Sequence, residues 1–378
     1  MKFSCTRDNI HQGLSIVSHL TAKNTHLPIL QNVLIKAENG SLSLTSTNLE
    51  IAIRCILRGK MDVPGEFTIP SKLFFDYVSL LPNDTVHVEL SENDLLIKCG
   101  TFKTKIRGME ASEFPLVPSV VGDQTYQIPV GLLREGLARV LFAVTSNESR
   151  PELTGVCMRF ELRGTTFSCV LASTDSYRLA ETVIPLAGEG LKEGQVIIPA
   201  KTLAEVSRVL SVFKDEVTSP ETIRLSLTQN QAVFSFGPVE LVSRVIEGKY
   251  PDYTQVIPKQ FQTTIEVDGT DFAKAVKTAS LFSRQNLFDV TLRVEPETKQ
   301  IAVFSLDASR GENTTMCDAV ITGVQNTFTV NFRYLLDGLN ALPSDRAILQ
   351  LIDASNPCLM TPKDGSQPYQ YLIMPIRQ

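Results

Sequence analysis

The chain of 378 residues is poor in the groups from which catalytic and metal centres are usually assembled. Histidine occurs four times, at His11, His19, His26 and His87, all in the first quarter of the chain. A general base or metal site built on histidine and repeated along the sequence is thereby excluded. The seven cysteines (Cys5, Cys55, Cys99, Cys157, Cys169, Cys317, Cys358) are odd in number and never spaced as CxxC. Most lie in apolar, strand-like runs and read as small core residues rather than as a disulfide framework or zinc ligands. No GxxxxGK[ST] loop, no GxGxxG after a strand, no HExxH and no GxSxG is present. Neither catalysis nor a cofactor or metal is expected. No run approaches the roughly 18 apolar residues of a membrane span. The opening MKFSCTRDNI is polar where a secretory signal needs an apolar core, so a cytoplasmic location is expected.

What the chain does have is repetition. Leu171 to Thr182 reads LASTDSYRLAET; LTSTNLEIAIR (from Leu44) and FSLDASRGENTT (from Phe304) are versions of it. Each follows a short alternating strand and leads to a second recurring segment: EFTIPSKLFFDYVSLLP from Glu66, QVIIPAKTLAEVSRVL from Gln195 and TFTVNFRYLLDGLNALP from Thr327. Two landmarks in one order, about 130 residues apart, indicate three copies of one unit. The length exceeds what one core usually supports, and an apolar share of 43% with 20% charged residues is ordinary for a globular protein.

Within each copy, helix-spaced apolar positions alternate with period-two stretches. Ile10, Leu14 and Val17 make one helical stripe, with Asp8 or Asn9 as candidate cap; Lys72 to Leu81 makes a second helix, stopped by Pro82. Leu133, Leu137, Val140, Leu141 and Val144, then Leu203, Val206, Leu210 and Phe213, serve the second copy; Phe272, Val276 and Ala279 open the third. Two helices and roughly eight antiparallel strands per copy give an α+β fold. Pro-marked joins follow Phe114-Pro115 and Tyr250-Pro251, so domains are expected at 1–124, 125–257 and 258–378.

The chain carries −5 overall, which alone argues against a polyanion-binding protein. Charge is unevenly spread, however. The six helices and their flanks, Lys23 and Lys214 included, hold eleven Lys or Arg against six acids, leaving −10 for the rest. Lys201 and Arg208, like Lys277 and Arg284, lie seven apart and so on one helix line, away from the apolar stripes. Solubility alone explains such a face on one helix; asymmetry over six points to a polyanion held by phosphate contacts that ignore sequence. In STDSYR, the short polar side chains around Asp175 read as turn formers rather than as a catalytic group.

The opening MKF strand, HLPILQNVLIKA, LTSTNLE, STDSYRL, VIIPAK, EGKYPDYTQVIP and YLIMPIR fall in order along the whole chain. Together they resemble the bacterial DNA polymerase sliding clamps, the beta subunits of replicative polymerase holoenzymes. The resemblance implies three DNA-clamp domains, each with two helices packed on antiparallel sheets, in a head-to-tail homodimer ring with helices inside and sheet outside. Duplex DNA would pass through it without sequence preference. Lys72, Asn147, Lys201, Arg208, Lys277 and Arg284 are the candidate lining, thinned where Asn24 replaces a basic residue. No membrane partner is implied.

The resemblance also implies a pocket between the second and third domains for a short Gln/hydrophobic peptide, through which the polymerase catalytic subunit, the clamp loader and repair proteins would be tethered. Its residues here would be Leu153, Thr174, Tyr177, Arg178, Leu179, Pro251, Val256, Asn331, Tyr334, Met374, Pro375, Ile376 and Arg377. Ser176 and Tyr177 stand where the family commonly has Gly and His, and Gln255 replaces a frequent Arg. The seam between subunits would join the strand around Ile106, with Lys103 and Lys105, to Leu281 and Phe282 of the other copy. The competing reading is a repeat-built protein-binding scaffold that does not act on DNA.

Overall fold

The computed structural model describes residues 1–378 apart from 21–26, 39, 118–121, 123, 214–219, 366–367 and 378. Lys23, Asn24, His26 and Lys214 therefore lie outside the described residues. Two compact units are present, Met1–Gly131 with Ala204–Val245 and Leu132–Leu203 with Ile246–Gln378.

The described residues form six α-helices: α1 (Arg7–Val17), α2 (Ser71–Ser79), α3 (Val130–Val140), α4 (Ala200–Val212), α5 (Gly269–Ser280) and α6 (Phe332–Ala341). Their apolar positions recur at helical spacing and are the ones buried: Ile10, Leu14 and Val17 on α1, Phe272, Val276 and Ala279 on α5. The cap of α1 is Thr6, whose hydroxyl accepts from Asn9 N at 3.4 Å, rather than Asp8 or Asn9. Asp8 instead sits in the first turn, where a carboxylate favours the helix's positive end. The helix of the second copy stops at Val140, and Leu141–Ala143 continues as a 3-10 turn.

The first unit holds a five-stranded and an eight-stranded antiparallel sheet. In the larger one, Ile51–Leu57 of the first copy pairs with Val239–Arg244 of the second, with Ile53 opposite Leu241. The second unit is built on a twelve-stranded sheet in which Arg178–Pro185 of the second copy pairs with Tyr369–Ile373 of the third, with Ala180 opposite Tyr371. By repeat position Ile53 corresponds to Ala180 and Leu241 to Tyr371, so the two junctions share one register. Neighbouring copies are thus joined by continuous sheet, and the compact units cut through the second copy rather than between copies.

Helices cover one sheet face closely. Any Cβ on Gly13 of α1 would lie 2.3 Å from Leu57 Cδ2, and one on Gly338 of α6 would lie 2.3 Å from Tyr371 Cδ1. Burial of residues such as Leu14, Phe74, Phe234 and Phe328 contributes about 1.5–3 kcal/mol each. Cys5, Cys55, Cys99, Cys157, Cys169 and Cys358 are buried and free, and Cys317 is half-buried and free.

Candidate functional site

The first and second copies of the motif read from the sequence fold into the same turn, and the third shares only its Asx bonds. In the second copy, Thr174 Oγ1 donates to Arg178 O (2.6 Å) and accepts from Ser176 N (3.1 Å), while Asp175 Oδ1 accepts from Tyr177 N (2.9 Å) and Arg178 N (3.0 Å). In the first copy, Thr47 and Asn48 make the same set of bonds to Ile51 O, Leu49 N, Glu50 N and Ile51 N. In the third, Asp307 Oδ1 accepts from Ser309 N (2.9 Å) and Arg310 N (3.2 Å). In the first two copies the residue after the Asx position is left-handed, with φ of 79° at Ser176 and 75° at Leu49, whereas Ala308 of the third is not. A family preference for Gly where Ser176 stands follows from that angle, which Gly adopts without steric cost.

In the second unit this turn meets the C-terminal tail. Met374 N donates to Tyr177 O at 2.9 Å, and Ile376 N to Thr329 O at 2.8 Å, so the tail runs from the turn to the strand Asn326–Asn331. Arg178 is the hub. Its guanidinium bonds Asp175 Oδ2 (2.9 Å), Asp337 Oδ2 on α6 (2.5 Å) and Phe142 O (2.7 Å), and lies over the rings of Tyr334 (4.4 Å) and Phe142 (5.4 Å). Tyr371 and these carboxylates raise the Arg178 pKa against the opposing effect of burial, so the charge is permanent. Asn331 caps α6 through Arg333 N at 2.9 Å, and Tyr371 Oη donates to Tyr334 O at 2.9 Å.

Beneath the turn, Leu153 and Leu179 share an apolar cluster with Cys157, Tyr250, Tyr253 and Leu372. Above it, Tyr177, Val256 and Met374 stay 64%, 53% and 38% exposed. Pro251 and Val256 are carried by the segment that follows buried Tyr250, and Asp252 ties its 3-10 turn Tyr253–Val256 through Thr254 N and Gln255 Nε2. Pro375 and Ile376 are half-buried and Arg377 is exposed. Sequence reasoning missed Asp337 and Phe142. Asn331, Tyr334 and Asp337 recur at three-residue spacing and so share a face, which was a usable signal for the first; nothing local marked the second.

The basic candidates divide into two groups. Lys72, Lys201, Lys277 and Asn147 are exposed. Arg208 and Arg284 are not free cations. Arg208 grips buried Glu205 (2.7 Å) and donates to Ser15 O and Ile16 O at the last turn of α1, while His19 Nδ1 stands 2.9 Å from the same carboxylate. Arg284 clasps Asp289 Oδ2 through Nε (2.8 Å) and Nη2 (2.5 Å), which raises its pKa. The heptad line holds for Lys201 and Arg208 on α4, but α5 ends at Ser280, so Arg284 lies past the helix and shares no line with Lys277; both guanidiniums serve the fold. Among the described residues no cluster of three or more His, Cys, Asp and Glu could hold a metal ion.

At the expected seam, Lys103 and Lys105 are exposed, Ile106 is buried inward, and Arg107 bonds Asp94 (3.3 Å). Leu281 is 66% exposed; its carbonyl accepts from Arg310 Nη1 at 3.5 Å, and Phe282 lies beside Gly311.

Three family models describing the N-terminal, central and C-terminal domains of the DNA polymerase III beta subunit match residues 1–118, 127–252 and 254–377. The chain belongs to the DNA polymerase III beta subunit family. It is 31% identical to the beta sliding clamp of Synechocystis sp., over 100% of this chain and 99% of that one. Among solved structures, the DNA polymerase sliding clamp from Bacillus subtilis superposes with a TM-score of 0.92 at 27% identity, covering 100% of this chain and 99% of that one. A Pseudomonas aeruginosa sliding clamp bound to griselimycin gives 0.91 at 25% identity, with full coverage of both chains. The fold is therefore the three-domain sliding clamp, and the chain is a non-catalytic polymerase processivity factor rather than an enzyme or an unrelated scaffold. No described helix is long and apolar enough to cross a membrane.

Proposed function

We propose that this clamp works as a head-to-tail dimer closed around duplex DNA, with copies bounded near 1–124, 125–257 and 258–378. The observation that carries the reading is a pair of unused strand edges. Phe102–Arg107 is the repeat counterpart of Val239–Arg244 and Tyr369–Ile373, both of which pair across a junction. The first part of Gly311–Gly323 is the counterpart of Ile51–Leu57 and Arg178–Pro185, their junction partners. Among the described residues these two strands pair on one edge only over Phe102–Arg107 and Gly311–Asp318. Free edges seek partners, and of the junction-type edges in the repeat these two are the ones left unpaired within one chain. Carrying the shared register across sets Phe102 opposite Thr314 and Lys103 opposite Asn313 of the partner. Exposed Leu80 and Phe102 on one side and Leu281, Leu306 and Met316 on the other supply the apolar cover a seam needs. The double variant Lys103→Cys, Asn313→Cys tests this: mild oxidation should link two chains into a closed dimer, and an unlinked product or open polymers would refute it.

DNA is held loosely, through Lys72, Lys201 and Lys277 with Asn147, because a clamp that slides needs diffuse attraction. Polymerase, clamp loader and repair proteins are tethered at the surface formed by the STDSYR turn, the Met374–Arg377 tail and the Pro251–Val256 segment. Exposed Tyr177, Val256 and Met374 supply apolar contacts there, and hub-held Arg178 and Tyr334 fix the walls. The setting is the cytoplasm.

A further inference from the structure

The segment bearing Pro251 and Val256 is anchored on the sheet by one buried carboxylate. Glu181, 2% exposed, accepts a short hydrogen bond from the Tyr253 hydroxyl, one from Gln370 Nε2 at 2.8 Å and one from Arg159 Nη2 at 3.4 Å; Arg163 Nη2 lies at 3.5 Å. Arg159 also lies 5.1 Å over the Tyr253 ring, and Tyr250 meets that ring edge-on at 6.2 Å. A buried carboxylate costs heavily unless paired, and this one is satisfied by groups from two strands, Gly155–Arg163 and Tyr369–Ile373, plus the connecting segment. Burial first, then the Glu181 charge, push the Tyr253 hydroxyl far above its ordinary pKa, so it remains a donor.

The other junction of the chain lacks this device. At the equivalent positions of the first unit, Arg54 replaces Glu181, Glu240 replaces Gln370 and Val117 replaces Tyr253, while Lys36 keeps the cation of Arg159. A groove of about 380 Å³ lined by Lys36, Arg54, Phe114 and Leu116 is present there. The latch therefore belongs to the junction that carries the apolar surface, not to junctions in general.

We propose that Glu181 and Tyr253 act as positioning residues for partner-peptide binding: their bond fixes the Pro251–Val256 wall at the separation from Met374 and Tyr177 that an extended peptide requires. The inference rests on the peptide pocket proposed above. Neither side chain needs to touch the peptide, since both are buried.

The test uses the full chain and a fluorescent Gln-Leu-x-Leu-Phe peptide. Wild type should bind saturably and Met374→Ala should weaken binding; if either fails, the pocket reading fails and the latch with it. Given both, Tyr253→Phe should weaken binding roughly five- to tenfold, with Glu181→Gln as the second variant should Tyr253→Phe fold poorly. The loss should vanish in a Val256→Ala background yet persist beside Met374→Ala, because the latch acts through the wall it holds. Wild-type affinity in the latch variants, or a loss equal in the Val256→Ala background, would overturn the proposal while leaving the pocket standing.

Discussion

Arg178 of the STDSYR turn and Asp337 of α6 stand 159 residues apart in sequence and 2.5 Å apart in space. The bond ties the second copy to the third at the point where the tail crosses. Asp337 is 42% exposed, so Asp337→Asn should cost under about 1 kcal/mol. Arg178→Ala should cost more, about 2–3 kcal/mol, because it strands Asp175 and the Phe142 carbonyl. Urea unfolding of the two variants, with peptide binding measured alongside, checks the ranking; equal costs would remove Arg178 as the hub.

Ser176 holds φ of 79°, a conformation that costs a side-chain-bearing residue roughly 1–2 kcal/mol. Ser176→Gly should stabilise the chain by about 0.5–1 kcal/mol, net of glycine's entropy and of the exposed Arg150 contact. Ser176→Val should destabilise it. Both are read from denaturation midpoints.

Gly338→Ala should destabilise despite alanine's advantage of about 1 kcal/mol in a helix. The added Cβ would meet the ring of fully buried Tyr371, which has no space to retreat. A lower Tm together with weaker peptide binding is expected, since α6 carries Tyr334.

Burial raises the Cys55, Cys157 and Cys358 thiols to about 12 and Cys5 to about 11. A thiol that stays protonated inside the core reacts slowly. At pH 8 a disulfide reagent should therefore label half-buried Cys317 first and the remainder only on unfolding, as a mass-resolved time course would show.

Much of this architecture was legible in the sequence because it is local. The recurring turn depends on Asx and backbone groups within five residues, joined by Thr in the first two copies, and the buried stripes of α1, α4 and α5 follow from spacing alone. What escaped is long-range. Lys201 and Arg208 do share a helix line, but the partners of Arg208 include carbonyls nearly two hundred residues away, and Glu205 is buried beneath it. By its spacing from Lys277 Arg284 reads as a phosphate contact, yet α5 ends at Ser280 and Asp289, five residues on, holds it through a bend no periodicity marks. Glu181 lies in the mostly apolar strand Arg178–Pro185, and its meaning depends on Tyr253, Arg159 and Gln370 arriving from elsewhere.

Encirclement is tested most directly by closing the Lys103→Cys, Asn313→Cys dimer oxidatively in the presence of nicked circular plasmid, then washing at high salt and cutting the plasmid once. Protein should stay with the circle through the wash and leave on linearisation, because only topology holds it. Loss from the intact circle, or equal retention on the linear form, would contradict a chain that surrounds DNA.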